Sequence, residues 1–158
     1  MSEEIKKDFF GFVMIGVVFL IGFFLLSHFS EGLRPENFKN IKSIEIAGQN
    51  VKVELAPTAE ERTRGLSGRV GLEENGGMLF VFDSDGVYPF WMKDMNFPID
   101  IVWINKDLKV VYVKENATPD SFPESFSSGE KVLYVLEVSA GFSEKNNLQI
   151  GDEVVFTQ

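Results

Sequence analysis

The stretch "IDIVWINKDLKVVYVK", residues 99–114, decides the fold class. Two runs rich in β-branched and aromatic residues flank Asn-Lys-Asp, a turn signal, so the stretch predicts a β-hairpin. Successive side chains of a strand point to opposite faces. Ile99, Ile101 and Trp103 therefore share one face, and Asp100, Val102 and Ile104 the other. Asp100 sits among apolar neighbours.

Similar short runs lie on either side. "IKSIEIA" (41–47), "VKVELA" (51–56), "MLFVF" (78–82), "YPFWMK" (88–93), "KVLYVLEV" (131–138) and "DEVVFT" (152–157) are separated by turn residues. "VKVELA" alternates cleanly, while "MLFVF" is apolar on both faces, as a central strand is. "DSDG" (83–86) reads as a turn from which "YPFWMK" returns. With about eight strands at this spacing, the expected fold is an all-β, antiparallel, jelly-roll-like sandwich or barrel. Two short helices interrupt it. "TAEE" (58–61) is a capping box followed by Gly65 at the left-handed stop, and "SEKNN" (143–147) forms a second turn with Asn147 at its left-handed end. Residues 115–130, "ENATPDSFPESFSSGE", show no periodicity and read as a long loop.

The amino-terminal end is of another kind. Phe9 to Phe29 carries no charge, and 21 helical residues would span about 32 Å, enough for a bilayer core of about 30 Å. The run is longer than the apolar part of a signal peptide, and "LLSHFSEG" offers no small-x-small cleavage site. The expected organisation is a cytoplasmic tail (1–8), a single-pass transmembrane anchor (9–29), a linker (30–40) and a β-domain (41–158) outside the cytoplasm.

Composition removes several function classes. The chain has 158 residues, no cysteine and one histidine, His28. Disulfides, thiol catalysis, thiolate metal sites and a histidine-based triad or zinc centre are therefore excluded, and no cofactor or metal is expected. Beyond residue 30 there are 21 acidic and 13 basic residues, a balance of −8. Nucleic acid is not an expected partner, because neutralising phosphate supplies most of that affinity. The membrane, reached through the apolar segment, is.

"TAEERTRGLSGR", "GGMLFVF", "PFWMKDMNFPIDIVWI", "VLEVSAG" and "IGDEV", in this order and spacing, resemble the uncharacterised-ACR family, domain of unknown function 192. The likeness spans roughly residues 50–158. It implies a compact jelly-roll-type domain, often secreted or membrane-anchored, and no established activity. Ser67 stands where the family commonly has Met, and Asp94–Met95 where Asn-Thr is common.

Candidate site residues come from charge placed against pattern. Arg62, Arg64 and Arg69 cluster in an acidic chain, and the guanidinium fork suits carboxylate, phosphate or sulfate. In "FWMKDMNFPID" (90–100), Trp91 and Lys93 face away from Phe90 and Met92. A buried Asp100 needs a partner, for which Arg62, Arg69 and Lys93 are the candidates. Glu137, alternating with Leu133 and Val135, poses the same question. The expected ligand site is Arg62, Arg69, Trp91, Lys93 and Asp100, with no catalytic residue assigned. Three functions fit: a binding module for a small anionic or sugar-like ligand, an accessory or assembly protein with a structural charge cluster, and a carboxylate hydrolase using Asp94 and Asp100.

Overall fold

The computed structural model describes residues 40–158. Within them the order is β1 (Ser43–Ile46), β2 (Gln49–Ala56), α1 (Ala59–Arg64), β3 (Gly76–Gly86), β4 (Phe90–Trp91), β5 (Ile99–Ile104) and β6 (Val110–Ala117). A 3-10 turn at Pro119–Ser121 follows, then β7 (Ser125–Phe126), β8 (Val132–Ser139), α2 (Phe142–Lys145) and β9 (Val154–Thr157). The residues 9–29 read as an anchor lie outside the described part. Among the described residues no helix is long and apolar enough to cross a membrane.

The all-β expectation holds, with two short helices; in place of the expected antiparallel sandwich or barrel, the strands form a curled half-barrel sheet with one parallel pair and a small second sheet. Seven strands form one sheet in the order β6-β5-β8-β3-β2-β1-β9, and β4 pairs with β7 in a separate two-stranded sheet. Every pairing is antiparallel except β2 with β3, which run parallel. A parallel neighbour needs a crossover rather than a hairpin. Here α1 and the turns after it make that connection.

Alternation builds two cores, one on each face of the large sheet. Leu79, Val81, Val102, Ile104, Leu136 and Val138 pack on one side with Ile44, Ile46, Val51 and Val154 from the outer strands. Met78, Phe80, Ile101, Trp103 and Val135 pack on the other with Leu66, Met92, Met95 and Phe126 from outside that sheet. All six residues of β5 are buried, as expected of a strand covered twice. The sheet curls until its two edges meet at one corner. Leu108 and Val110 exchange backbone hydrogen bonds of 2.8–3.0 Å with residues 151–154, and Lys109 bridges to Glu153. The result is a half-barrel.

"YPFWMK" does not return along β3. The strand β3 continues through "DSDG" to Gly86, and Pro89, which has no amide hydrogen for a ladder, precedes β4. Phe90 and Trp91 pair instead with Phe126 and Ser125, inside the stretch expected to be a loop. Aromatic packing holds this small sheet over the second core. Phe90 meets Phe80 edge-on at 4.8 Å and Trp103 at 5.9 Å, and the Trp103 indole N–H donates to the Tyr88 carbonyl at 3.0 Å.

Both predicted helical turns are present. The Glu61 amide donates to the Thr58 hydroxyl at 3.2 Å and the Thr58 amide to the Glu61 carboxylate at 3.0 Å; Gly65 ends α1 at φ 49° and ψ −130°, a positive φ but not the left-handed helical conformation expected there. Asn147 takes the left-handed conformation after α2.

The tightest point lies between β3 and β8. A Cβ on Gly77 would stand 2.8 Å from the Glu137 carbonyl oxygen, whereas one on Gly71 would meet nothing within 4 Å. Gly77→Ala is expected to cost about 1–3 kcal/mol by prising the central ladder apart. Gly71→Ala is expected to stay within about 0.5 kcal/mol of the parent. Urea midpoints of the two variants check this; equal midpoints would show that the ladder absorbs the methyl group.

Candidate functional site

A groove of about 300 Å³ opens on the second face. Its walls are Arg62, Arg64, Leu66 and Ser67 from α1 and the turn after it, Phe80 and Phe82 from β3, Tyr88 to Trp91, and Met95. Glu137 from β8 completes the lining. Five aromatic residues share the lining with two arginines, two hydroxyl residues and a glutamate, the mixture of apolar wall and convergent polar groups that a small-molecule site requires.

The aromatic wall is fixed by local contacts. Phe82 stacks on Tyr88 with ring centroids 3.5 Å apart and planes 7° from parallel, and the Tyr88 hydroxyl donates to the Ser84 carbonyl at 2.6 Å. A Cβ on Gly86 would come within 3.0 Å of the Tyr88 ring, so only glycine lets the ring close there. Trp91, by contrast, is 47% exposed.

The five residues singled out from sequence part company. Arg62 and Trp91 line the groove; Arg69, Lys93 and Asp100 do not. The Arg62 guanidinium donates to the carbonyls of Pro57 and of Val81, the latter at 2.8 Å, and lies 5.1 Å from the Phe82 ring centre. Its other terminal nitrogen is 3.8 Å from the exposed Asp83. Arg69 forms a two-pronged pair with Glu54, at 2.6 and 2.8 Å. That bonding holds the Glu54 carboxyl below its ordinary range and raises the Arg69 pKa. Lys93 is exposed, and its carbonyl accepts from the Ser67 hydroxyl at 2.9 Å.

Asp100 is fully buried as expected, but its partners are not cations. One carboxylate oxygen accepts from the amides of Asn116 (2.8 Å) and Gly141 (3.2 Å), and the other from the amide of Ser143 (2.8 Å). Two irregularities aim those donors inward. The β5–β6 register shifts between Ile99 and Ile101, leaving Asn116 at a positive φ of 48°, and Gly141 enters α2 at φ 84°. Three amide donors replace the hydration of the charge, so Asp100 pins β6 and α2 to the sheet. Neither it nor Asp94 lines the groove, as an acid–base pair working there would have to.

Glu137 is the opposite case. It stands in a cross-strand row between Met78 on β3 and Ile101 on β5, with Glu54 one strand beyond Met78. Its Oε2 atom is buried with no hydrogen-bond partner. Burial pushes its pKa up to about 8; the Arg69 charge opposes this more weakly. Near neutral pH it is mostly an uncharged acid. The sequence carried a signal for it, a lone glutamate inside "VLYVLEV", but none for the Phe82–Tyr88 stack beside it.

The family model for Uncharacterized ACR, DUF192, matches residues 42–156. The chain belongs to this family. Two crystal structures share the fold of this DUF192 domain. One is a candidate transcription regulator from Sinorhizobium meliloti 1021, 32% identical, covering 72% of this chain and 90% of its own, with a TM-score of 0.67. The other is a protein of unknown function from Novosphingobium aromaticivorans DSM 12444, 28% identical, covering 73% and 84%, with a TM-score of 0.69. A search of curated proteins finds no match.

Two consequences can be measured. Asp100→Ala strands three inward amides and is expected to cost about 3–5 kcal/mol, with Asp100→Asn milder because one acceptor oxygen survives. A loss below about 1 kcal/mol in urea unfolding would contradict the pinning role. For Glu137 the folded pKa of about 8 lies above the ordinary 4.5, so the folded state holds the proton more tightly. Its contribution is fully present below pH 4.5 and is lost as pH rises through 8. Glu137→Gln is expected to remove that slope, read from urea unfolding at a series of pH values.

Proposed function

We propose that this DUF192 protein is a binding module for a small, neutral, sugar-like ligand, held outside the cytoplasm by the apolar segment at residues 9–29. The observation that carries the reading is the buried, unpartnered Glu137 carboxyl in the wall of an aromatic groove. A pyranose has an apolar C–H face that lies flat on a ring such as Trp91, and hydroxyls at its edge that a carboxyl can engage.

Of the two ligand classes that the sequence suggested, the neutral one fits better. An anion needs free cationic donors, yet Arg69 is matched by Glu54, and one terminal nitrogen of Arg62 serves two carbonyls while the other faces Asp83. Arg64 is exposed to solvent, and deeper in Glu137 offers an anion one O–H and no positive charge. Nucleic acid has no part in this reading, because a balance of −8 beyond residue 30 repels phosphate.

Binding raises apparent stability by mass action. Neutral mono- and disaccharides at millimolar concentration are expected to raise the melting temperature at pH 6.5, and Trp91→Ala to abolish the rise with little effect on the unliganded protein. Stabilisation by glucose 6-phosphate alone would favour the anionic class instead. The tether is checked by fractionation. The full chain stays with membranes after a high-salt wash, and a chain beginning at residue 38 does not; membrane retention of the shorter chain would overturn the assignment.

A further inference from the structure

Glu137 has few ways to be satisfied by the protein's own side chains. Its row neighbours, Met78 and Ile101, are buried and offer it no side-chain hydrogen bond. Arg69, the cation whose field reaches it, already holds both oxygens of Glu54. Lys114, paired with Ile101 one strand further on, sits 4.8 Å over the Phe126 ring. Arg62 on α1 turns to the Pro57 and Val81 carbonyls, and Arg64 is exposed at the rim. Each charged group around Glu137 is therefore committed elsewhere or in solvent. A buried polar atom without a partner is costly, and native structures rarely keep one without a reason.

We propose that Glu137 meets the ligand as an uncharged carboxylic acid, donating its proton to a ligand oxygen and accepting from a ligand hydroxyl, so that the groove selects neutral hydroxyl-bearing molecules and releases them when the acid ionises. This rests on the sugar-binding reading above and adds the protonation state that sets specificity. A carboxylic acid has one donor and spare acceptor capacity, whereas a carboxylate only accepts. A hydroxyl can complement the acid on both counts. An ionised carboxylate or phosphate can take the one O–H but has no donor for the carbonyl oxygen, whose lone pairs then face its negative charge. Once ionised, Glu137 repels anions outright and would be satisfied by an organic cation lying against the rings. The pKa of about 8 sets the working range, with the acid form prevailing at neutral pH.

The site thereby becomes pH-dependent in a direction opposite to a salt-bridge site. Binding of the acid form favours the proton, so affinity is flat below the pKa and falls above it. With a pKa of about 8, affinity drops about tenfold between pH 7 and pH 9.

The test uses the full chain in detergent and calorimetric titration with glucose, galactose, N-acetylglucosamine and trehalose as neutral probes. Glucose 6-phosphate serves as the anionic probe and choline as a permanently cationic one. Expected are binding of at least one neutral sugar, about tenfold weaker at pH 9 than at pH 7, and weaker binding of both charged probes at pH 7. Glu137→Gln, which keeps a donor and an acceptor without a titrating proton, is expected to retain binding and lose its pH dependence. Sugar binding that does not change with pH, or is lost in Glu137→Gln, overturns this inference and leaves the sugar-binding reading standing. Choline binding that strengthens as pH rises, with no sugar bound, overturns both. Failure of every probe to bind overturns the sugar-binding reading, and this inference with it.

Discussion

A sheet with apolar side chains on both faces has nowhere to leave a charge, and that constraint governs the two carboxyls within it. Asp100 and Glu137 lie on adjacent central strands, and both are buried. A buried carboxylate costs several kcal/mol unless its charge is met by donors or countercharge. Asp100 meets the requirement with three backbone amides, those of Asn116 and Gly141 lying at local departures from regular structure and that of Ser143 in the first turn of α2. Glu137 finds no partner, and the same physics leaves it protonated instead. One acid serves the fold, while the other is left with capacity to spare.

The surrounding elements make that capacity reachable. The parallel β2–β3 pair forces a crossover through α1, which brings Arg62, Arg64 and Leu66 over the second face. The departure at Pro89 takes Phe90 and Trp91 off the large sheet into a small one, raising an aromatic wall opposite α1. Between them the floor is Phe80 and Glu137. Had "YPFWMK" folded back along β3, that space would hold a strand. The Arg69–Glu54 pair, mostly in solvent, adds little stability by itself. It does occupy Arg69, whose charge opposes the effect of burial on Glu137 only weakly.

Much of this was legible in the chain. The β-rich apolar runs "IDIVWI" and "MLFVF" correctly place the central strands, and the Thr58–Glu61 capping box and Asn147 mark both helices. The parallel pairing was not legible, because alternation gives faces and says nothing of direction. The strand Ser125–Phe126 was hidden for a related reason. Two residues show no period, and what holds them is aromatic packing from distant strands. For Asp100 the need for a partner was readable and the partner was not. Side-chain chemistry suggested arginine, but the donors are main-chain amides at residues 116, 141 and 143, and any residue type carries those. Of the site, charge pointed to Arg62 and strand alternation to Trp91, whereas the contribution of Glu137 depends on what its neighbours fail to offer.

The chemistry of the groove turns on one proton. Carbon-13 NMR of the unliganded full chain in detergent, with glutamate labelled at the side-chain carboxyl and the Glu137 signal assigned by its loss in Glu137→Gln, follows that proton directly. The account predicts that this resonance stays at its protonated position through neutral pH and titrates near 8, while that of Glu54 titrates below 4.5. A Glu137 resonance that titrates near the ordinary 4.5 would contradict it, for the acid would then be ionised at neutral pH and the groove would carry a charge.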